Sequence, residues 1–177
     1  ELPYIQNFDA AEGSSNTSLD CWFTVTNNST PYPRIDDAQS HSPNSSLHFY
    51  ATSSLYSYAT TPRFSESIDM SNLQISFYAR KSSENYMIEV GIMSDPNDYS
   101  TFEMIEAVSP EDVNVWGLCD VNSNSYSGNG RYVAFRVPQW FSNMIYIDNV
   151  DIHEIPFCGR VENIVAEQIT SSSATIS

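Results

Sequence analysis

The sequence predicts an all-β chain, a two-sheet antiparallel β-sandwich with jelly-roll topology. Three observations carry this: apolar side chains alternate along short runs, turn residues separate those runs, and helical periodicity is nearly absent. Taken in order, strands are predicted at 4–8, 21–26, 46–50, 57–63, 73–80, 86–93, 102–108, 115–121, 131–137 and 144–155. The clearest is Leu73-Gln74-Ile75-Ser76-Phe77-Tyr78-Ala79-Arg80, where every second residue is apolar. Asn27-Asn28-Ser29-Thr30-Pro31, Ser42-Pro43-Asn44-Ser45, Ser94-Asp95-Pro96-Asn97-Asp98 and Ser127-Gly128-Asn129-Gly130 supply turn chemistry between them. About ten such strands suit two packed sheets, and no room is left for helical crossovers.

Composition narrows the function. A chain of 177 residues holds one core and at most a fragment of a second domain. With 41% apolar and 13% aromatic residues it folds despite its charge. Twenty-two acids against seven bases give a net charge of −15, which repels phosphate backbones and argues against nucleic acid. No apolar run reaches the roughly 18–20 residues of a spanning helix, so direct membrane insertion is not expected. The start, Glu1-Leu2-Pro3-Tyr4, has neither a basic nor an apolar leader region and reads as a mature or trimmed chain. One lysine among many Ser, Asn and Thr resembles secreted proteins.

The texture divides the chain at Pro156. Residues 1–156 form the sandwich; residues 157–177 hold two further strand patterns around a serine-rich turn, which cannot bury a core alone. They read as the opening of another β domain or as strands docked on the first. The cysteines Cys21, Cys119 and Cys158 are odd in number and widely spaced, with no CxxC pair, so they read as buried free thiols or as one disulfide and a leftover thiol.

The most informative segment is Met144-Ile145-Tyr146-Ile147-Asp148-Asn149-Val150-Asp151-Ile152. Ile145 and Ile147 share one parity, Val150 and Ile152 the other, so continuous burial requires a β-bulge at Asp148-Asn149. An acid inside an apolar strand needs a partner when buried. The candidates are Ca²⁺, which takes carboxylate and backbone oxygens, an arginine, or a solvated turn that leaves the acid at the surface. Asp9 ends the first strand, and terminal strands of a sandwich often lie side by side, so Asp9 and Asp148 could share one ion. The stretch from Asp95 to Glu106 has acids where an EF-hand loop starts and finishes, but it lacks the sixth-position glycine and helical flanks and reads as a hairpin loop.

Catalytic patterns are thin: there is no GxSxG, HExxH or glycine-rich phosphate loop, and His41, His48 and His153 are scattered. Cys119 with His153 is a nucleophile pair the sequence leaves open, since such partners need not be close in the chain, but no motif supports it. The expectation is that the chain is not an enzyme. Aromatic residues in loops carry more. Trp140 and Phe141 in Pro138-Gln139-Trp140-Phe141-Ser142, with Tyr126 among turn residues, could stack on sugar rings; the alternative is that Trp140 folds back to cap the sandwich. Trp22 and Trp116 lie in strand patterns and read as core.

A set of segments occurs in a familiar order: Leu2-Pro3-Tyr4, Asn7-Phe8-Asp9, Cys21-Trp22, Tyr32-Pro33, Ser45-Ser46-Leu47-His48-Phe49, Thr61-Pro62, Glu89-Val90-Gly91-Ile92-Met93-Ser94-Asp95-Pro96, Gly130-Arg131-Tyr132-Val133-Ala134-Phe135-Arg136 and Tyr146-Ile147-Asp148-Asn149-Val150. Over residues 1–156 these resemble the MAM-like, cleaved-adhesin or "choice-of-anchor" jelly rolls, galactose-binding-like in architecture, of Bacteroidetes surface and secreted proteins. From Cys158-Gly159-Arg160-Val161 onward the chain resembles the start of a fibronectin type III domain. The resemblance implies a non-catalytic jelly roll with a structural calcium between first and last strands, at Asp9 and Asp148, with Ser46 adding an oxygen. Asn149 stands where many members have a second Asp. The resulting expectation is an extracellular or cell-surface binding or adhesion module for glycan or host protein, beside further domains of its parent chain. The rival is a structural spacer of a secreted peptidase or glycan-active enzyme.

Overall fold

The computed structural model describes residues 1–9, 21–26, 32–51, 57–138, 143–156, 166–167 and 175–176. Its strands are β1 (Tyr4–Gln6), β2 (Phe23–Thr26), β3 (Arg34–Asp36), β4 (Ser46–Ala51), β5 (Ser57–Thr60), β6 (Leu73–Lys81), β7 (Ile88–Met93), β8 (Phe102–Val108), β9 (Gly117–Asn122), β10 (Tyr132–Val137), β11 (Asn143–Glu154), β12 (Ala166–Glu167) and β13 (Thr175–Ile176). A six-stranded sheet runs β3-β4-β11-β6-β9 with β1 also on β11, and a five-stranded sheet runs β2-β5-β10-β7-β8. Among the described residues every pairing between these strands is antiparallel, with one isolated parallel bridge between Lys81 and Val113. The predicted two-sheet antiparallel architecture is what forms; β12 and β13 pair only with each other.

Alternation fills the space between the sheets. Leu73, Ile75, Phe77 and Ala79 of β6 are fully buried while the residues between them are half-exposed. They meet Ala59, Val90, Ile92, Val133 and Phe135 of the other sheet, and the Phe77 and Phe135 rings meet edge to face at 5.2 Å. Trp22 is core, as expected, stacked on Phe135 at 6.0 Å. Trp116 is not: it immediately precedes β9, whose Cys119 and Val121 face the core, so the alternation turns Trp116 and Leu118 to the outer side of the sheet, where Trp116 stays half-exposed against His41.

β11 is the hinge of the design. Its first half pairs with β4 and its second half with β1 along the same edge, with β6 along the other. The register against β6 shifts between Asp148 and Asp151, and Asn149 takes φ 49°, a left-handed conformation that asparagine tolerates well. The bulge keeps Ile145, Ile147, Val150 and Ile152 all facing the core with no exposure. The segment beginning at Asp95 is an ordinary turn: Asp95 Oδ1 accepts the Asn97 N–H, and Asp98 Oδ1 accepts from Ser100 at the head of a 3₁₀ turn, Tyr99–Thr101.

Candidate functional site

Strand geometry gathers three segments at the bulge. β1 runs antiparallel to β11 with Gln6 opposite Val150, so Phe8 and Asp9 emerge beside Asp148. β4 has Leu47 opposite Ile147, so its entry loop, residues 37–45, arrives from the other side. Asp148 has no exposed surface. Its Oδ2 accepts the backbone N–H groups of His41 at 2.8 Å and Ser42 at 2.9 Å, and its Oδ1 that of Asn149 at 2.7 Å. Ser42 ties the two acids together, because its hydroxyl also donates to Asp9 Oδ2 at 3.3 Å. Asp9 further accepts from Asn7 Nδ2 at 2.8 Å and from the Ser45 N–H at 3.4 Å. Ser46 lies in the same corner, but its hydroxyl donates to the Gln39 carbonyl at 2.6 Å.

Burial pushes the Asp148 carboxyl above the usual carboxylate range, the three N–H groups pull it back without cancelling that effect, and the charge of Asp9 adds to the rise. Among the described residues neither acid has an ion pair with Lys, Arg or His. A buried carboxylate facing a second one without a cation is a donor set suited to a hard ion, with Asp9, Asp148, Ser42, Ser46 and the Gln39 carbonyl as oxygens. No group of three His, Cys, Asp or Glu side chains gathers among the described residues, so an ion here would rest largely on neutral oxygens.

The second region is the end of the sandwich around Tyr126. An open groove of about 430 Å³ lies between residues 66–71 and 126–131. Tyr126 lines it but is itself buried, 7% exposed, with its hydroxyl accepting the Gly130 N–H at 2.6 Å. Arg131 clamps the opposite wall, donating to the Ile68 carbonyl at 2.6 Å and pairing with Glu66 at 3.0 Å. Trp140 and Phe141 lie outside the described residues.

Sequence reasoning missed a third region on the outer face of the six-stranded sheet. His48, at 4% exposure, stacks on Tyr146 at 4.1 Å, meets Tyr32 edge to face at 4.9 Å and donates from Nδ1 to Asp36 at 3.2 Å. Arg34 pairs with the same carboxylate at 2.9 Å. Burial presses the His48 imidazole below its ordinary range, more than Asp36 raises it. Asp36 feels the burial too, but the Ala38 N–H, His48 and Arg34 outweigh it and hold the carboxyl low.

No nucleophile is assembled from Cys119 and His153. Cys119 is buried in the core with its thiol pushed up to about 11, chiefly by burial. His153, one residue after inward-facing Ile152, points out of the same sheet and contacts Asp151 at 3.4 Å.

No protein family and no curated protein matches this chain. Among solved structures it is similar to the K2 cleaved adhesin domain of Lys-gingipain, at 13% identity and a TM-score of 0.63 over 85% of this chain and 97% of that one. It is similar to the K3 cleaved adhesin domain of Lys-gingipain from Porphyromonas gingivalis W83, at 18% identity and 0.58 over 77% and 93%. The CBM22-1 xylan-binding domain of Paenibacillus barcinonensis Xyn10C follows at 11% identity and 0.55 over 88% and 95%. The fold is therefore the β-sandwich shared by cleaved adhesin domains and carbohydrate-binding modules.

Proposed function

We propose that this chain is a non-catalytic binding module of a multidomain bacterial surface or secreted protein, recognising glycan through loops at one end of the sandwich. The observation that carries this reading is the groove between residues 66–71 and 126–131. Ser67, Asp69, Ser71, Ser127 and Asn129 give it hydroxyl, carboxylate and amide groups, while Tyr126 and Ile68 supply apolar edges. Sugars present that mixture of C–H faces and hydroxyls. The likeness to a xylan-binding domain supports the same class of ligand. Trp140 and Phe141 follow the end of β10 opposite to Arg131, so any saccharide contact they make belongs to a different loop cluster from this groove.

In this reading Ca²⁺ is held by Asp9 and Asp148, with Ser46 or the Gln39 carbonyl adding oxygen. The ion supplies positive charge to two facing carboxylates; the chain's part is to pin residues 39–45 and 7–9 to the bulge through Ser42. Residues 157–177 are the start of a fibronectin type III-like domain, of which the β12–β13 pair is the described part.

Titration of the 177-residue chain with a panel of neutral and acidic oligosaccharides in calcium, followed by calorimetry, tests the function. Saccharide binding weakened by Asn129→Ala is expected; a folded protein that binds no saccharide would sink the reading. The burial of Tyr126, whose hydroxyl already accepts the Gly130 N–H, favours the rival, a spacer beside a catalytic domain, which predicts that second outcome.

A further inference from the structure

We infer that the outer face of the six-stranded sheet is a second saccharide site, one that takes a single carboxylate-bearing sugar with its carboxylate on Arg80. This deepens the binding-module reading and rests on it. In a chain with 22 acids, any exposed base should find a carboxylate nearby. Among the described residues Arg34, Arg63, Lys81, Arg131 and Arg136 all do. Arg80 alone has neither an ion pair nor a hydrogen bond there. It is half-buried, so it sits within a built surface and not at the end of a free tether.

Its surroundings are aromatic. Ile75, Phe77 and Ala79 face the core, so Tyr78 and Arg80 face outward. Across the strands Arg80 is opposite Tyr146, which is opposite His48, which is opposite Arg34. On the other side Tyr78 is covered by His41, stacked at 3.6 Å, and Trp116 meets His41 edge to face at 6.0 Å. Trp116 is half-exposed, and Leu118 beside it is 54% exposed. An unpaired guanidinium opposite Tyr146, on a face that also carries a half-exposed indole, suits a pyranose ring: the indole takes the C–H face, and the guanidinium takes a carboxylate through two parallel hydrogen bonds.

Charge limits the ligand further. The net charge of −15 opposes a polyanion, whereas one carboxylate within reach of Arg80 gains a local pair. Uronic and sialic acids both carry such a group. His41 belongs to the loop whose N–H groups bind Asp148, so the face is completed by the same segment that closes over the carboxylate pair.

Calorimetric titration of the full chain in calcium with sialyllactose against lactose, and with glucuronic-acid-substituted xylotriose against xylotriose, tests this. In at least one pair the acidic sugar should bind about ten- to a hundredfold tighter than its neutral counterpart, and Arg80→Gln should remove that difference. Which pair responds identifies the acid. Arg80 is outward-facing, so the variant folds, as its unfolding midpoint would verify. Equal binding of acidic and neutral sugars, or of wild type and Arg80→Gln, overturns the proposal. If saccharide binding is then lost in Asn129→Ala, the binding-module reading survives without this site; no saccharide binding at all overturns both. Binding of an acidic peptide in place of every sugar also overturns it.

Discussion

At the scale of single residues, Asp148 stands in the least comfortable position. Its raised carboxyl means that the native state takes up a proton more readily than the unfolded chain, so in metal-free protein its contribution to stability falls as pH rises above about 4. A bound cation reverses that liability. Asp148→Asn keeps an oxygen for the loop N–H groups while removing the charge. Thermal unfolding in chelator should therefore change little or rise, whereas the calcium-dependent increase in midpoint expected of wild type should vanish. Equal midpoints of wild type with and without calcium would remove the ion from the account. His48 behaves oppositely. With its imidazole depressed by burial, the unfolded chain binds the proton first, so stability is present above about pH 6.5 and is lost as pH falls. Asp36, also depressed, continues the loss at lower pH. His48→Gln should flatten the plot of denaturant midpoint against pH between about 7 and 5 relative to wild type; a parallel curve would show that another group governs it.

At the scale of elements, β7 and β8 make a sharper prediction. Phe102 lies over Gly91, where an added methyl would come within 2.7 Å of the ring and run into the Glu103 carbonyl oxygen beside the register shift. Gly91→Ala should cost about 1–3 kcal/mol by overpacking, read by chemical denaturation. A change below the error of that measurement would mean that β8 moves freely on β7. This is also the scale at which the sequence was most legible. The bulge could be read from the parity switch between Ile147 and Val150, and β8 was placed to the residue. β3 could not: Arg34-Ile35-Asp36 has one apolar residue, too few to alternate, and its place comes from pairing with β4. The acids of the bulge were legible because an aspartate in an apolar strand is conspicuous. The backbone N–H groups that hold Asp148 were not, since a donor that every residue type carries leaves no pattern. Arg80 was equally hidden; what distinguishes it is the absence of a partner, which only the packed sheet reveals.

At the scale of the whole molecule, charge sets the response to salt. A net charge of −15 on the chain disfavours the compact state, so added sodium chloride should raise the unfolding midpoint even in chelator. A falling midpoint would mean that the ion pairs of Arg131, Arg136 and Arg34 outweigh the general repulsion. Among the described residues no helix is long and apolar enough to cross a membrane.

The antiparallel seating of β1 on the last half of β11 has a mechanical consequence. Tyr4 lies opposite Ile152, and Glu1, Leu2, His153 and Glu154 line a common hollow, so the two ends of the sandwich leave from one edge. Tension applied through residues flanking the domain would load the β1–β11 hydrogen bonds one after another, like a zipper, and not all together in shear. β1 should peel first and at low force in single-molecule stretching, withdrawing Asp9 from Asp148 before the rest of the sandwich yields. A molecule pulled at its ends would thus loosen the bulge while both sheets stayed intact.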